Sequence, residues 1–573
     1  MNTLFSSFIQ QKTSMEQKTT QYIFPSLFVI CCIYILNLQL DFYIEDPAIY
    51  GVLSKRILLT GDFSLLILDE KDWLDKPHLP FWITAISFKI FGISSFAYLL
   101  PITIALGLTF LYTFKFASQY YHKTIAWFSV FILSTAQYTM MSGTEGRIEP
   151  YLMCFIIGSI YHFDRGISHN KIIDFVIGST LVAAAIMTKG MFVIVPIFGA
   201  IGGHLLYQHR NITVFFKWYW LLVAALICLF ILPEIYALFI QFDSHPNKII
   251  FGQKGISGIK WFLWDSQFSR LINTGPFTRH QGDYFFFIHT LLWAFFPWCF
   301  VLYYGFFQTL KKIFKKEAVV ELYTFSGGLF MFLLFSISKF QLPHYISIVF
   351  PFYAIIVADI FYKPLNRLGK KLIVSLQTIQ ISVVFLVLIS ILIISSWSTI
   401  ACLLFLSLFV GALLINFRRP GNLINKLLIG SGLAAIFLNA YMSLEVYPTI
   451  SSYRADIQAA RYINEHFQDQ SVTVLGPVSY RFQFYCNSPI SKYWDPTNQE
   501  LQDLEKASLI LCTDVDILKR LDPNYVLVES FDHYASETIS LAFLNPKSRS
   551  TQLVKYILMK KPTTTSKKTE NYQ

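Results

Sequence analysis

Charge is what this sequence has least of. Charged residues make up 14% of the 573, against roughly 25% in ordinary globular chains. The chain also lacks a CxxC pair of zinc-binding type, a Walker or Rossmann phosphate loop, and any internal repeat. These gaps exclude a zinc-finger module and argue against nucleotide-driven chemistry and transporters built on duplicated halves. The scarcity of charge excludes intrinsic disorder, which needs a polar, charge-rich composition. Apolar residues fill the space: 54% of the chain, with 56 Phe, 32 Tyr and 11 Trp. That much apolar surface needs lipid as its solvent, so the sequence predicts a mainly α polytopic membrane protein. Its net charge of +11 is a question for membrane topology before it is one for nucleic acid.

Six of the eight cysteines (Cys31, Cys32, Cys154, Cys228, Cys299, Cys402) sit in apolar runs, where a thiol acts as a small hydrophobe. Cys486 and Cys512 alone lie in a polar region, and their spacing leaves pairing open. The first apolar run, Gln21 to Leu40, is long enough to span a bilayer and too long for a signal core, and reads as a retained helix. Further runs near 95–114, 124–141, 149–164, 172–188, 190–207, 217–240, 284–308, 320–338, 344–362, 372–394, 397–416 and 424–445 bring the expected total to about thirteen. Segment 78–92 is short and carries Lys89, which suits a helix lying at the interface.

Basic residues set the orientation. Lys115 and Lys123, Arg165 and Lys171, Arg210 and Lys217, the Lys311–Lys316 group, Lys363 to Lys371 and Arg418 to Lys426 all fall in alternate loops. They share a side with the N-terminal tail, whereas the opposing short loops offer little beyond Arg147, Lys189 and Lys339. The positive-inside rule then predicts a cytoplasmic N-terminus and an outer C-terminal region. The expected organisation is a tail at 1–21, a membrane domain at 22–446 with outer loops 42–94 and 241–283, a small α/β domain at 447–560, and a disordered tail at 561–573.

The chemistry-bearing residues gather on the predicted outer face. Glu45 and Asp46 follow the first span, and the stretch Trp73 to Pro80 supplies Asp75, Lys76 and His78. An acid at the membrane boundary can deprotonate a hydroxyl or amine, and a nearby Lys can hold a phosphate. The same residues also suit solvated flank charges. Glu149-Pro150 opens the fourth span, where an acid and a proline equally suit a helix start. Arg270 lies in a loop rich in Trp and Phe, with Arg279 and His280 after it, and Lys339, Pro343, His344 and Tyr345 form a tight outer turn. Arginines near a bilayer surface commonly meet lipid phosphate.

The order Asp46-x3-Tyr50, Gly61-Asp62, Asp75-Lys76-Pro77-x2-Pro80-Phe81-Trp82 and Phe91-Gly92-x2-Ser95-x-Ala97-x-Leu99-x-Pro101 resembles the bacterial aminoarabinose transferase and protein-mannosyltransferase-like families. These are integral-membrane glycosyltransferases of the GT-C class. Glu149-Pro150-Tyr151-Leu152 resembles their acid-x-Pro-Leu turn, with Glu where the family has Asp. Lys339 to Tyr345, with Pro351, resembles their Lys-x-x-x-Pro-x-Tyr turn. The resemblance implies a GT-C fold and transfer of a sugar from a polyprenyl (undecaprenyl-type) phosphate to a lipid A, glycan or protein acceptor, with inversion. It implies that Asp46 and Glu149 are the catalytic acids and that Lys76, Arg270 and Lys339 bind the donor phosphate, with Glu45, Tyr50 and Tyr345 as neighbours. Asp75 and His280 would then be the ligands of a divalent metal suggested for some relatives. It also implies a monomer in the bacterial inner membrane, partnered by membrane lipids and no nucleic acid. A lipid or solute transporter, or flippase, is the alternative; it would place its functional charges mid-membrane. A non-catalytic scaffold is a third, and it leaves the ordered outer motifs unexplained.

Overall fold

A computed structural model of the chain describes residues 21–278, 282–468, 470–504, 508–521 and 525–561. Arg279 and His280, and with them half of the expected metal pair, lie outside the described residues, as does most of the expected C-terminal tail. The chain divides into two compact units. One comprises residues 1–39, 53–393 and 397–443, the other 40–52, 394–396 and 444–573.

The first unit is helical. Among the described residues eight helices are long and apolar enough to cross a membrane, including Ser95–Tyr120, Ile172–Lys189, Arg367–Ile394 and Thr399–Arg418. Four shorter apolar helices accompany them: Gln21–Asn37, Leu79–Phe91, Lys123–Thr135 and Tyr323–Ile337. Local chemistry sets their ends. Ser94 caps Ser95–Tyr120 through the Ala97 amide at 3.2 Å, and Asn422 caps Leu423–Tyr441 through Ile424 at 3.2 Å. Pro150 sits in the first turn of Glu149–His169, where its missing N–H costs nothing.

Several runs that read as continuous in the sequence are broken. The run 284–308 is two helices, Phe286–Ala294 and Cys299–Phe314, parted around Pro297, which has no amide to offer an α-helix. The run 124–141 divides at Ala136 into Lys123–Thr135 and Gln137–Thr144. Helices pack where side chains are small: a Cβ on Gly178 would come within 2.7 Å of the Phe163 ring, so Glu149–His169 and Ile172–Lys189 approach closely there. The core between the helices is dense with aromatics, among them Phe131, Trp298, Tyr323 and Tyr353.

The second unit carries a five-stranded sheet. Its order is Ile490–Tyr493, Val472–Leu475, Leu509–Cys512, Val554–Lys560, Val526–His533. The first three strands are parallel and the last two join antiparallel. Successive side chains of a strand point to opposite faces. Val472, Val474, Leu509 and Leu511 accordingly pack with the helix Ala455–His466, while Leu475, Ile510 and Cys512 pack on the other face with Ile517. Cys486 belongs to the first core and Cys512 to the second, and both are free thiols.

Candidate active site

The loop that carries Asp75 and Lys76 is fixed from behind. The His78 amide donates to Glu234 Oε2 at 2.9 Å, and the His78 ring lies 2.9 Å from Glu234 Oε1, both groups buried. Gln241 exchanges hydrogen bonds with the Leu66 backbone at 2.7 and 3.0 Å and donates to Asp72 at 2.9 Å. These contacts link residues more than 150 positions apart and tie the loop to the helix that carries Glu234 and to Gln241 beyond it.

On the loop's free side the predicted phosphate residues meet. Asp75 accepts from Lys76 Nζ at 2.6 Å through Oδ2 and from Arg270 Nη2 at 2.5 Å through Oδ1. Both side chains are largely buried, at 13% and 17% exposure. Burial alone would raise the Asp75 pKa, but the Lys76 and Arg270 charges outweigh it and hold the carboxyl below the usual range. Lys76 goes the other way. Burial drives it down to about 8, Asp75 opposing and the Arg270 and Lys189 charges adding to the fall. Arg270 has further capacity, because its Nε is buried without a hydrogen-bond partner.

Glu149 and Lys189 form the second half of the cluster. Their side chains are 2% and 3% exposed and joined in a short ion pair. The Lys189 ammonium also stands 4.2 Å from the centre of the Tyr345 ring, and His344 Nε2 is 3.7 Å from Glu149 Oε1. Glu149 Oε2 is buried with no hydrogen-bond partner. Gly190, in the left-handed region at φ +108°, ends the helix immediately beyond Lys189.

Two cavities share this charged wall. A small one is bounded by Asp75, Lys76, Lys189, Glu234, Gln267 and Arg270. A larger one of about 380 Å³ is lined by Lys189, Arg270, Gln267 and Ser338 and otherwise by apolar and aromatic side chains, notably Phe192, Val195, Trp264, Phe268 and Leu334. The arrangement can receive an anion on the cations while an attached hydrocarbon lies along the apolar wall.

The structure therefore brings together Asp75, Lys76, Glu149, Arg270 and Tyr345. Lys339 is not among them: its side chain is exposed, and its backbone instead joins Leu271 at 2.9 Å. Lys189 occupies the interior position, and the sequence reading had counted it only as an outer charge. Its signal was a lone lysine closing an apolar run on the side with few cations. Of the expected metal pair only Asp75 is described, and its two carboxylate oxygens face Lys76 and Arg270. Among the described residues no group of His, Cys, Asp and Glu is assembled to hold a metal ion.

Glu45, Asp46 and Tyr50 lie in the second unit, in the first turns of helix Glu45–Thr60. Asp46 and Tyr50, four residues apart, share a face of that helix. Glu45 accepts from the Tyr480 amide at 2.5 Å and lies 2.9 Å from Arg481 Nη1. Burial raises its pKa, partly offset by Arg481.

In fold and in part of its sequence this multi-pass membrane protein is similar to aminoarabinose transferases and protein mannosyltransferases. The family model for dolichyl-phosphate-mannose-protein mannosyltransferase matches residues 75–236, the segment that holds Asp75, Lys76, Glu149 and Lys189. An uncharacterized protein of Aquifex aeolicus is 24% identical over 343 residues, 58% of this chain and 62% of its own length. The undecaprenyl phosphate-alpha-4-amino-4-deoxy-L-arabinose arabinosyl transferase of Enterobacter sp. is 22% identical over 350 residues, 60% of this chain and 59% of its own. The matched stretches thus span about three-fifths of these curated relatives. The crystal structure of ArnT from Cupriavidus metallidurans bound to undecaprenyl phosphate superposes with a TM-score of 0.71 at 14% identity, covering 95% of this chain and 99% of that one. That likeness is one of fold.

Proposed function

We propose that this protein is a glycosyltransferase that moves a sugar from a polyprenyl phosphate to an acceptor at the outer face of the membrane. The observation that carries the reading is a buried cluster of Lys76, Lys189 and Arg270, of which Lys189 and Arg270 also line a larger, mostly apolar cavity. A polyprenyl phosphosugar has that shape in chemical terms: one anionic group between a sugar and a long hydrocarbon. The family model match and the names of the relatives support the same reaction class. The reading includes the topology inferred from charge, about thirteen spans with the N-terminus cytoplasmic and the C-terminal unit outside.

In the reaction the bond between the anomeric carbon and the phosphate oxygen breaks, and a bond from that carbon to the acceptor oxygen or nitrogen forms. The electron pair leaves with the phosphate, where the three cations stabilise it. Lys76 and Arg270 are held toward each other by Asp75, so little reorganisation is needed as charge develops. Asp46 accepts the acceptor's proton. Attack opposite the departing phosphate inverts the anomeric centre. Glu149 orients Lys189 and, through Oε2, keeps an acceptor site for a substrate hydroxyl.

The test is turnover of a panel of polyprenyl phosphosugars, beginning with the undecaprenyl phosphoaminoarabinose used by the named relatives, against membrane glycolipids, with products read by mass spectrometry. Asp46→Asn should abolish transfer while undecaprenyl phosphate still binds. Near-normal turnover in that variant removes Asp46 from the chemistry. A wild-type protein that moves labelled lipid across vesicles without cleaving it establishes the transporter alternative.

A further inference from the structure

A carboxylate that accepts a proton must be held in position before the substrate arrives. The segment Leu40–Val52, which carries Asp46, folds in one compact unit with residues 444–573, and it is tied there at several points. The Tyr43 carbonyl accepts from Arg454 Nη2 at 2.6 Å. Asp41 pairs with Arg461 at 2.6 Å, and the Glu45 amide donates to Glu537 at 2.8 Å. One tie is a single residue from Asp46: Glu45 faces Arg481 at 2.9 Å and accepts from the Tyr480 amide at 2.5 Å. Arg481 is itself fixed by Asp456, whose Oδ2 accepts from its Nε at 2.8 Å and also from the Ser479 hydroxyl. The Arg481 and Asp456 side chains are 5% and 0% exposed.

Such a buried pair is a costly way to staple a loop. Taking both charges out of water costs several kcal/mol per ion, and well-packed apolar side chains often stabilise as well or better. What a fixed guanidinium between two carboxylates adds is direction. We infer that Arg481, buttressed by Asp456, is a positioning residue for Asp46: its pair with Glu45 sets the first turn of helix Glu45–Thr60 and so the aim of the next carboxylate. The C-terminal unit thereby takes part in the reaction through the aim of Asp46. The inference rests on the glycosyltransferase reading above.

The experiment uses the full chain in nanodiscs, with binding of undecaprenyl phosphate and transfer from the active phosphosugar measured separately. Arg481→Ala should lower kcat roughly 10- to 100-fold, the scale set by a displacement of about 1 Å at a reacting group. The affinity for undecaprenyl phosphate should change less than about twofold, and Arg481→Lys should recover part of kcat because it keeps the charge opposite Glu45. A purely structural Arg481 would instead lower the yield or Tm and leave kcat per folded molecule unchanged, which overturns the inference. Should Arg481→Ala fail to fold, Glu45→Gln carries the test, since it leaves the Arg481–Asp456 pair in place; wild-type kcat there also overturns it. Absence of transfer in the wild-type protein, or full turnover in Asp46→Asn, refutes the underlying reaction and the inference together, and differs visibly from a failure confined to Arg481.

Discussion

Lys189→Met separates what the Glu149–Lys189 pair does for the fold from what it does for the donor. With both side chains nearly inaccessible, at 2% and 3% exposure, the pair is desolvated. Removing the ammonium leaves a buried carboxylate whose other oxygen already has no hydrogen-bond partner, with His344 3.7 Å away as its nearest relief. Losing one member of a buried pair costs about 3–5 kcal/mol. Met keeps the length and apolar stem of Lys, so little of that cost comes from a cavity. The double variant Lys189→Met/Glu149→Gln removes both charges and should recover most of the loss. Donor binding should behave differently. One of the three cations proposed to meet the phosphate is gone in both variants, and a charge-assisted hydrogen bond contributes about 1.5–3 kcal/mol. Undecaprenyl phosphate should therefore bind roughly 10- to 100-fold more weakly to either variant. Thermal unfolding in detergent gives the first quantity and a binding isotherm the second. A single variant as stable as wild type, or a double variant that recovers donor affinity along with stability, refutes the assignment of Lys189 to both tasks.

The Lys76 pKa of about 8 predicts a proton-linked affinity. Only the ammonium form attracts phosphate, so binding of a polyprenyl phosphodiester, whose own charge is constant, should be flat below about pH 7.5 and weaken as pH rises through 8. Lys76→Gln should bind more weakly and lose that pH dependence; an unchanged profile in the variant reassigns the titrating group. Gly190→Ala should lower Tm, because φ is +108° there and the new Cβ would lie 2.4 Å from Gln267 Nε2. Strain of this kind costs about 1–3 kcal/mol, and a crystal-quality variant with unchanged Tm would show that the turn relaxes freely.

The sequence made the apolar architecture legible because a bilayer demands long runs, and these survive any detail of packing. It could not show where a run breaks: Pro297 reads as one residue in a span of Phe and Trp, yet it parts two helices. The candidate cluster was legible in Asp75, Lys76, Glu149 and Arg270, since acids and cations at helix ends are few in such a chain. Lys189 and Lys339 are the instructive pair. Both are single lysines at the ends of apolar runs, and the motif order favoured Lys339. Which one turns inward depends on a partner more than 30 positions away: Glu149 draws Lys189 inside, while the side chain of Lys339 stays exposed. Glu45 likewise reads as a neighbour of Asp46 and becomes intelligible only beside Arg481, more than 400 residues on.

The cluster's chemistry follows from how incompletely its cations are satisfied. Asp75 pins Lys76 and Arg270, yet Lys76 still holds its proton less firmly than in water, and Arg270 Nε has no hydrogen-bond partner. A site of this kind has interaction energy in reserve. In the proposed reaction the donor is a phosphodiester with one negative charge, and the departing phosphate monoester gains more as the sugar leaves. Groups already in place and short of partners bind that growing charge better than the initial one, and that difference lowers the barrier. Full neutralisation by more carboxylates would remove the reserve, and cations without Asp75 would repel one another out of position. The single carboxylate between two cations is the arrangement that avoids both.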